Sequence, residues 1–238
     1  MIYVLRYLLI VLYSGFWGAL GCILGLVDRS GEAVVWVARG WIRWILWTCR
    51  VEVDSSGLES IDLARPYVLM TNHQSAFDIA ALIATWPASW RFVAKRELVW
   101  IPLFGWAVGL GGTVFVDRQN RERAVASLRR AATRLRTGTT LIVFPEGTRS
   151  PSGELGEFKS GGFHLAIEGG AAIVPITVSG SHRITPKHSL RIESGRIHVH
   201  YGKPIATAQR SPEERNELKR EVRDAIIAGF DAKLQAGA

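Results

Sequence analysis

A histidine and an aspartate stand five residues apart where an apolar run of strand character gives way to one of helical character. They belong to the stretch Asn72-His73-Gln74-Ser75-Ala76-Phe77-Asp78, between residues 67–71 and residues 79–84. Five residues along one helix would separate two side chains by about 140°, so we expect His73 to precede the helix and Asp78 to lie in its first turn. From there the carboxylate can accept the proton of one imidazole nitrogen, which leaves the other nitrogen free as a general base.

The same residues also fit a purely structural interpretation. Ser75, followed three residues later by Asp78, matches the capping-box pattern of a helix start, and His73 would then be an ordinary loop histidine. The two interpretations are compatible, because a cap at Ser75 could hold Asp78 where it reaches His73. The rest of the chain has to show whether His73 and Asp78 also carry chemistry.

Charged residues recur downstream, each where a predicted strand ends in a loop. They are Lys95, Arg118 and Arg149, together with Glu146 and its neighbour Gly147. In open α/β sheets the loops at the carboxyl ends of strands converge on one crevice, so we expect these residues to share a pocket with His73 and Asp78. Lysine and arginine in such a pocket suit a phosphate group. An anionic Glu146 would be explained there by pairing with Arg118, Arg149 or substrate hydroxyls.

From residue 51 onward, short apolar runs alternate with helical patterns. Strands are predicted at about residues 50–54, 67–71, 91–94, 113–116, 140–144, 172–178 and 196–201, with helices between most of them. Strands separated by helices indicate an α/β fold with a mixed, largely parallel central sheet flanked by helices. Pro175 interrupts one strand, which predicts an edge, a bulge or a bend. We assign residues 51–238 to this domain.

The first fifty residues have a different character. No residue from Tyr7 to Val27 is charged, and this run is long enough to cross a bilayer as a helix. Residues 32–50 predict a second helix on which Arg39, Arg43 and Arg50 lie close together beside tryptophans, a pattern typical of the membrane interface. We interpret residues 1–50 as a membrane-associated helical hairpin. Packing of these helices into a soluble core is the alternative.

The net charge of the chain limits the classes of binding partner but does not identify one. A formal charge of +8 and a pI near 9.9 favour nucleic acid, anionic lipid or phosphorylated small molecules. Nucleic acid is disfavoured because the tryptophans and arginines cluster in the apolar N-terminal region. Two cysteines, Cys22 and Cys49, indicate neither a disulfide framework nor a cysteine-based zinc site.

Five short motifs follow one another along the chain. They are Asn-His-x4-Asp from Asn72, Lys-x-Glu-Leu from Lys95, Val-Phe-Val-Asp-Arg from Val114, Phe-Pro-Glu-Gly-Thr-Arg-Ser from Phe144 and Val-Pro-Ile from Val174. Their order resembles that of the glycerolipid acyltransferase family. The resemblance covers roughly residues 66–205. It implies transfer of a fatty acyl group from a thioester, on coenzyme A or acyl carrier protein, to the free sn-2 hydroxyl of 1-acyl-sn-glycerol 3-phosphate. That reaction of phospholipid biosynthesis gives phosphatidic acid.

The resemblance also implies roles, partners and a location. His73 is expected to be the general base and Asp78 its orienting partner. Arg118, Glu146, Gly147 and Arg149 are expected to form the acceptor site, with Lys95 near the phosphate of the acceptor. No metal and no cofactor is expected beyond the acyl-CoA or acyl-ACP co-substrate. The implied partners are the bilayer and lysophosphatidic acid, and the implied location is the membrane, at the cytoplasmic face of a bacterial inner membrane.

Two other functions remain open at this point. An acyltransferase of the same family could act on another acceptor, such as a different lysophospholipid, a lyso-aminolipid or glycerol 3-phosphate. A membrane protein that binds lipid without turnover is an alternative from another class.

Overall fold

A single mixed sheet forms the centre of the protein. The computed structural model describes residues 2–235, and the seven strands among them follow the order β1-β7-β6-β2-β5-β3-β4. Strands β6, β2, β5, β3 and β4 run parallel, whereas β7 is antiparallel to β6 and parallel to β1. The strands are Val51–Ser56 (β1), Val68–Thr71 (β2), Arg91–Lys95 (β3), Val114–Val116 (β4), Leu141–Val143 (β5), Ile173–Ser179 (β6) and Gly195–Tyr201 (β7). The expected α/β fold with a largely parallel sheet is confirmed.

Helices cover both faces of this sheet. Along β2, Leu69 packs with α2 and α3 on one face, while Val68 and Met70 pack with α5, α6 and α8 on the other. Alternate residues of a strand point to opposite faces, so a strand buried on both sides has apolar residues throughout. The helices are Ile2–Val27 (α1), Glu32–Cys49 (α2), Phe77–Thr85 (α3), Phe104–Leu110 (α4), Arg121–Arg136 (α5), Gly161–Gly169 (α6), Ser181–Ile184 (α7), Arg215–Ala228 (α8) and Ala232–Gln235 (α9); three short 3-10 segments lie at Leu58–Ser60, Arg96–Trp100 and Pro212–Glu214.

The strand that contains Pro175 is central, with β2 on one side and β7 on the other. The proline is tolerated because the regular β7 ladder begins only at Ile176, which pairs with Tyr201. Beyond that point the carbonyl of Pro175 accepts the N–H of Gly202 at 2.8 Å. The strand therefore continues through Pro175 and is not an edge strand, and only its regular pairing with β7 stops beside the proline.

The first helix packs against the domain through glycines. Added Cβ atoms would lie 3.1 Å from Leu103 at Gly18 and 3.0 Å from Ala107 at Gly21, so α4 approaches the α1 backbone closely. The opposite side of α1 exposes large apolar side chains, namely Ile2, Val4, Leu5, Tyr7, Leu8, Val11, Leu12, Phe16, Ile23, Leu26 and Val27. Among the described residues, α1 is the one helix long and apolar enough to cross a membrane, by length and composition.

The second helix is part of the packed body of the protein. Its residues Val35, Ile42, Ile45 and Cys49 belong to the same apolar cluster as α3. Arg39 donates hydrogen bonds to the carbonyls of residues 86–88, just beyond the end of α3. The guanidinium of Arg39 therefore binds the end of a neighbouring helix, while its expected position at a membrane interface stays a prediction.

Candidate active site

The imidazole of His73 is bonded to a carboxylate in the first turn of α3. Its Nδ1 lies 2.9 Å from Oδ2 of Asp78, whose side chain is fully buried, while the side chain of His73 is 15% exposed. The same oxygen accepts the backbone N–H groups of Gln74 at 2.7 Å and Ser75 at 2.8 Å. The turn that carries His73 thus also fixes the carboxylate that orients it.

Ser75 connects this helix start to a distant loop. Its hydroxyl accepts the N–H of Phe77 at 3.2 Å and donates to the carbonyl of Thr185 at 2.9 Å. The bond from the Ser75 N–H to Asp78 is half of a capping box. The Asp78 carboxylate therefore accepts a backbone N–H at the start of the helix and also orients His73. The structural interpretation and the geometry that the chemical one requires are both present.

The loop after β5 fixes the ring and the backbone of His73. The ring of Phe144 stacks on the imidazole, with the two centroids 4.0 Å apart. Glu146 Oε1 accepts the His73 N–H at 2.7 Å, and the carbonyl of His73 accepts the N–H of Ser150 at 2.7 Å. With Nδ1 bonded to Asp78, Nε2 is the ring nitrogen that has no protein partner among residues 2–235.

Glu146 lies beneath the His73 turn. Only 5% of Glu146 is exposed, and its second carboxylate oxygen accepts the N–H of Gly156 at 2.9 Å. No ion pair with Arg118 or Arg149 is seen in the described part of the chain, so the expected pairing is not observed. Burial raises the pKa of Glu146, although the two bonded N–H groups act in the opposite direction. Its carboxylate joins the backbone of His73 to that of residue 156.

A cavity of about 540 Å³ lies between the N-terminal hairpin and the sheet. Its lining includes His73 and apolar side chains of four helices, for example Ile10, Ile45, Ile83 and Phe104. Pockets of about 300–1,000 Å³, mostly apolar with a few polar groups, are typical of small-ligand sites. The hairpin therefore supplies a wall of the space that His73 faces.

Three of the cations found in the sequence line this cavity. They are Lys95, Arg118 and Arg149, with Gly147 and Thr148 between the last two. The Nζ atom of Lys95 lies 3.2 Å from Glu97, and Arg118 donates to the carbonyl of Gly147. Arg149 has no hydrogen-bond or ion-pair partner within residues 2–235. The structure therefore brings Lys95, Arg118, Gly147 and Arg149 to one cavity with His73. Asp78 and Glu146 do not line this cavity, and both are bonded to His73 from behind it.

Gly147 occupies a conformation that requires glycine. Its φ is +73°, and an added Cβ would lie 3.2 Å from the side chain of Lys159. A side chain here would be strained in the left-handed region and crowded against Lys159. The glycine thus allows its carbonyl to turn toward Arg118.

Two residues that position the site were not singled out from the sequence. Asn72 is fully buried, and its amide donates to the carbonyl of Val178 at 2.9 Å and accepts the N–H of Val178 at 2.8 Å. It thereby ties the end of β2 to β6 just before His73. Phe144 was assigned only to a strand and a motif, and no sequence pattern indicates that its ring stacks on an imidazole.

This arrangement suits deprotonation of a hydroxyl next to a phosphate. A carboxylate-oriented imidazole with an available Nε2 can act as a general base. The neighbouring cations can bind an anionic group of the same substrate. Among residues 2–235 no cluster of three or more His, Cys, Asp or Glu side chains could hold a metal ion. The fold and the geometry of the site together fit the class of group-transfer enzymes.

Comparisons with known proteins agree with this class. Residues 52–179 match the family described as Acyltransferase. The chain is 34% identical to the 1-acyl-sn-glycerol-3-phosphate acyltransferase of Saccharomyces cerevisiae over 95% of this chain and 77% of that protein. It is also 34% identical to the human 1-acyl-sn-glycerol-3-phosphate acyltransferase alpha over 76% of this chain and 64% of that protein.

A solved structure extends the likeness to the whole fold. The 1-acyl-sn-glycerophosphate (LPA) acyltransferase PlsC of Thermotoga maritima superimposes with a TM-score of 0.82 at 26% identity. The superposition covers 99% of this chain and 96% of that one, so it includes the N-terminal hairpin. The chain belongs to the acyltransferase family.

Proposed function

We propose that this protein transfers a fatty acyl group from an acyl thioester to the sn-2 hydroxyl of 1-acyl-sn-glycerol 3-phosphate, giving phosphatidic acid. Its named relatives in yeast and human, and the PlsC structure, are acyltransferases for this acceptor. The observation that carries the proposal is the His73–Asp78 pair, whose available Nε2 belongs to a residue that lines a large, mostly apolar cavity.

The proposed reaction needs one base and no enzyme nucleophile. His73 Nε2 takes the proton of the acceptor hydroxyl as its oxygen attacks the thioester carbonyl. The tetrahedral intermediate then expels the thiolate, which takes the proton back from the imidazolium. Asp78 stabilises that imidazolium and keeps Nε2 as the accepting nitrogen. A thioester is already activated, so a covalent acyl-enzyme is unnecessary.

The cations at the cavity are proposed to bind the acceptor. Arg118 and Arg149 can hold a phosphate through paired N–H donors, and Lys95 can add a point charge. Gly147 keeps its carbonyl on Arg118 and so positions that guanidinium. We assign Glu146 a positioning role, because its two oxygens bind backbone N–H groups of His73 and Gly156.

The hairpin is proposed to hold the site at a bilayer. The apolar side of α1 offers a surface of the length that spans a membrane. Trp106 of α4, the helix that packs beside α1, is 53% exposed, and Trp100, which precedes α4, is 74% exposed. Indoles at headgroup level would extend the membrane contact beyond residues 1–50 into the catalytic domain, residues 51–238. We place the protein at the cytoplasmic face of a bacterial inner membrane, where acyl-CoA or acyl carrier protein can deliver the chain.

A panel of acceptors tests the proposal most informatively. Labelled acyl-CoA is supplied with lysophosphatidate, another lysophospholipid, a lyso-aminolipid, glycerol 3-phosphate and monoacylglycerol. We expect kcat/KM to be highest for lysophosphatidate. Preference for the phosphate-free monoacylglycerol would contradict the proposed acceptor, and absence of transfer to any acceptor would favour a lipid-binding protein.

A further inference from the structure

A loop that the proposed reaction leaves unused borders the cavity beside Thr148. It runs from residue 184 to residue 193 and closes on itself, because the N–H of Glu193 donates to the carbonyl of Ile184 at 2.8 Å. Thr185, Ser189 and Ile192 of this loop line the same cavity as His73. The 184–193 loop is therefore a wall of the site.

Contacts from two directions fix the position of this loop. The Ser75 hydroxyl, from the turn that carries His73, donates to the carbonyl of Thr185 at 2.9 Å. The buried guanidinium of Arg6, from α1, donates to the carbonyl of Ile192. These contacts hold the 184–193 loop in a fixed position relative to His73, the proposed base, and to the N-terminal hairpin.

Lys187 directs its ammonium from this loop toward the Phe-Pro-Glu-Gly-Thr-Arg segment. Its Nζ atom lies 3.2 Å from the hydroxyl of Thr148, at the solvent-exposed edge of the site. No carboxylate lies within ion-pair distance of Lys187 or of Arg149 among residues 2–235. Lys187 contacts Thr148 and Arg149 follows it in the chain, so two cations without carboxylate partners lie near one hydroxyl at the edge of the cavity. Such a local concentration of positive charge suits an anionic ligand.

We infer that Lys187 and Arg149 form a phosphate-binding site at the rim of the cavity, with Lys187 supplied by a loop outside every motif of the chain. This inference rests on the proposed function. Lysine is a compact phosphate-binding charge, and a loop contact can tune specificity without altering the base. The phosphomonoester of lysophosphatidate and the phosphates of an acyl-CoA share this chemistry, so the experiment separates them.

The test compares Lys187→Ala with Arg191→Ala in the full-length protein, in mixed micelles of neutral detergent. Arg191 is an exposed cation of the same loop, so its removal changes the charge equally without emptying the proposed site. KM and kcat are measured separately for lysophosphatidate, for acyl-CoA and for monoacylglycerol as a phosphate-free acceptor. Thermal unfolding of each variant monitors folding.

We expect Lys187→Ala to raise the KM for lysophosphatidate about tenfold, near the lower end of what a hydrogen bond to a charged group contributes. Its kcat, and its kinetics with monoacylglycerol, should match those of Arg191→Ala, and Lys187→Arg should restore most of the affinity. A rise confined to the KM for acyl-CoA would assign the same site to donor phosphates. If both alanine variants have the same KM for lysophosphatidate and the enzyme still acylates it, the inference about Lys187 is wrong while the proposed function stands. Failure of the wild-type protein to acylate lysophosphatidate would instead overturn the proposed function.

Discussion

The Oδ2 atom of Asp78 accepts three hydrogen bonds, and one of them comes from Nδ1 of His73 at 2.9 Å. The other two come from the backbone of the turn between these residues. The orientation of the imidazole is therefore coupled to the geometry of the helix start. This coupling explains how a short sequence motif can orient the imidazole, while Phe144 and Glu146 hold its ring face and its backbone from the loop after β5.

Asp78→Asn is expected to lower kcat by about 10²- to 10⁴-fold, the range that general base catalysis contributes. The amide can place its NH₂ group toward Nδ1, which would reverse the tautomer and put the proton on Nε2. Steady-state kinetics with saturating lysophosphatidate and acyl-CoA measure the effect. A kcat within about threefold of wild type would show that the carboxylate does not orient the base.

Glu146→Gln tests the positioning role through the pH dependence of stability. Burial raises the pKa of Glu146, so its contribution to stability is fully present below the ordinary value of 4.5 and is lost as pH rises through the raised value. We therefore expect the difference in Tm, wild type minus Glu146→Gln, to be largest at acidic pH and to decrease as pH rises above 4.5. Thermal unfolding across this range measures it.

The Glu146→Gln variant should also lose activity. The glutamine side chain has one acceptor oxygen for the two N–H groups of His73 and Gly156, so one of these groups loses its partner. A Tm difference that grows with pH would contradict the raised pKa. Full activity in the variant would contradict the link from Glu146 to His73.

Gly147→Ala should reduce both stability and activity. An alanine at φ +73° costs about 1–2 kcal/mol, and its Cβ would press on Lys159. The displaced carbonyl would release Arg118 and raise the KM for lysophosphatidate. Gly170→Ala is the matched control, because Gly170 also has a positive φ of +65° but open space around its Cβ position. The control should lose stability and keep its KM, and an equal rise in KM in both variants would exclude a specific role for Gly147.

Gly21→Val tests the packing of the hairpin on the domain. An added Cβ would already lie 3.0 Å from that of Ala107, so valine must push α1 away from α4. We expect a lower Tm and reduced transfer to lysophosphatidate presented in vesicles, because the wall of the cavity moves. Gly15→Val is the control, since nothing lies within 4 Å of its Cβ position. Identical Tm and activity for the two variants would show that the close contact is unimportant.

The sequence predicted the sheet and most of the site for a physical reason. Strand ends in a parallel sheet converge, so His73, Lys95, Arg118 and Arg149 could be assigned to one pocket from their places after apolar runs. Contacts that depend on side-chain direction were not predictable in this way. Glu146 turned to two backbone N–H groups, and Arg39 turned to the end of α3, because tertiary packing selects among partners that a motif or a helical wheel leaves open.

The position of Lys187 beside Thr148 was likewise not predictable from the sequence. No motif marks Lys187, and its loop lies between the strands predicted at about residues 172–178 and 196–201. The closure of the 184–193 loop and its bonds to Ser75 and Arg6 hold Lys187 beside Thr148. Long-range hydrogen bonds of this kind have no periodic signature in a sequence.

Replacement of His73 by alanine tests the central claim most directly. The full-length protein is assayed for transfer from labelled acyl-CoA to lysophosphatidate, beside His188→Ala as a matched exposed histidine. We expect His73→Ala to lose at least about 10³-fold in kcat while it keeps its fold and its binding of lysophosphatidate, because only the base is removed. A folded His73→Ala variant with the kcat of His188→Ala would contradict the assignment of His73 as the base.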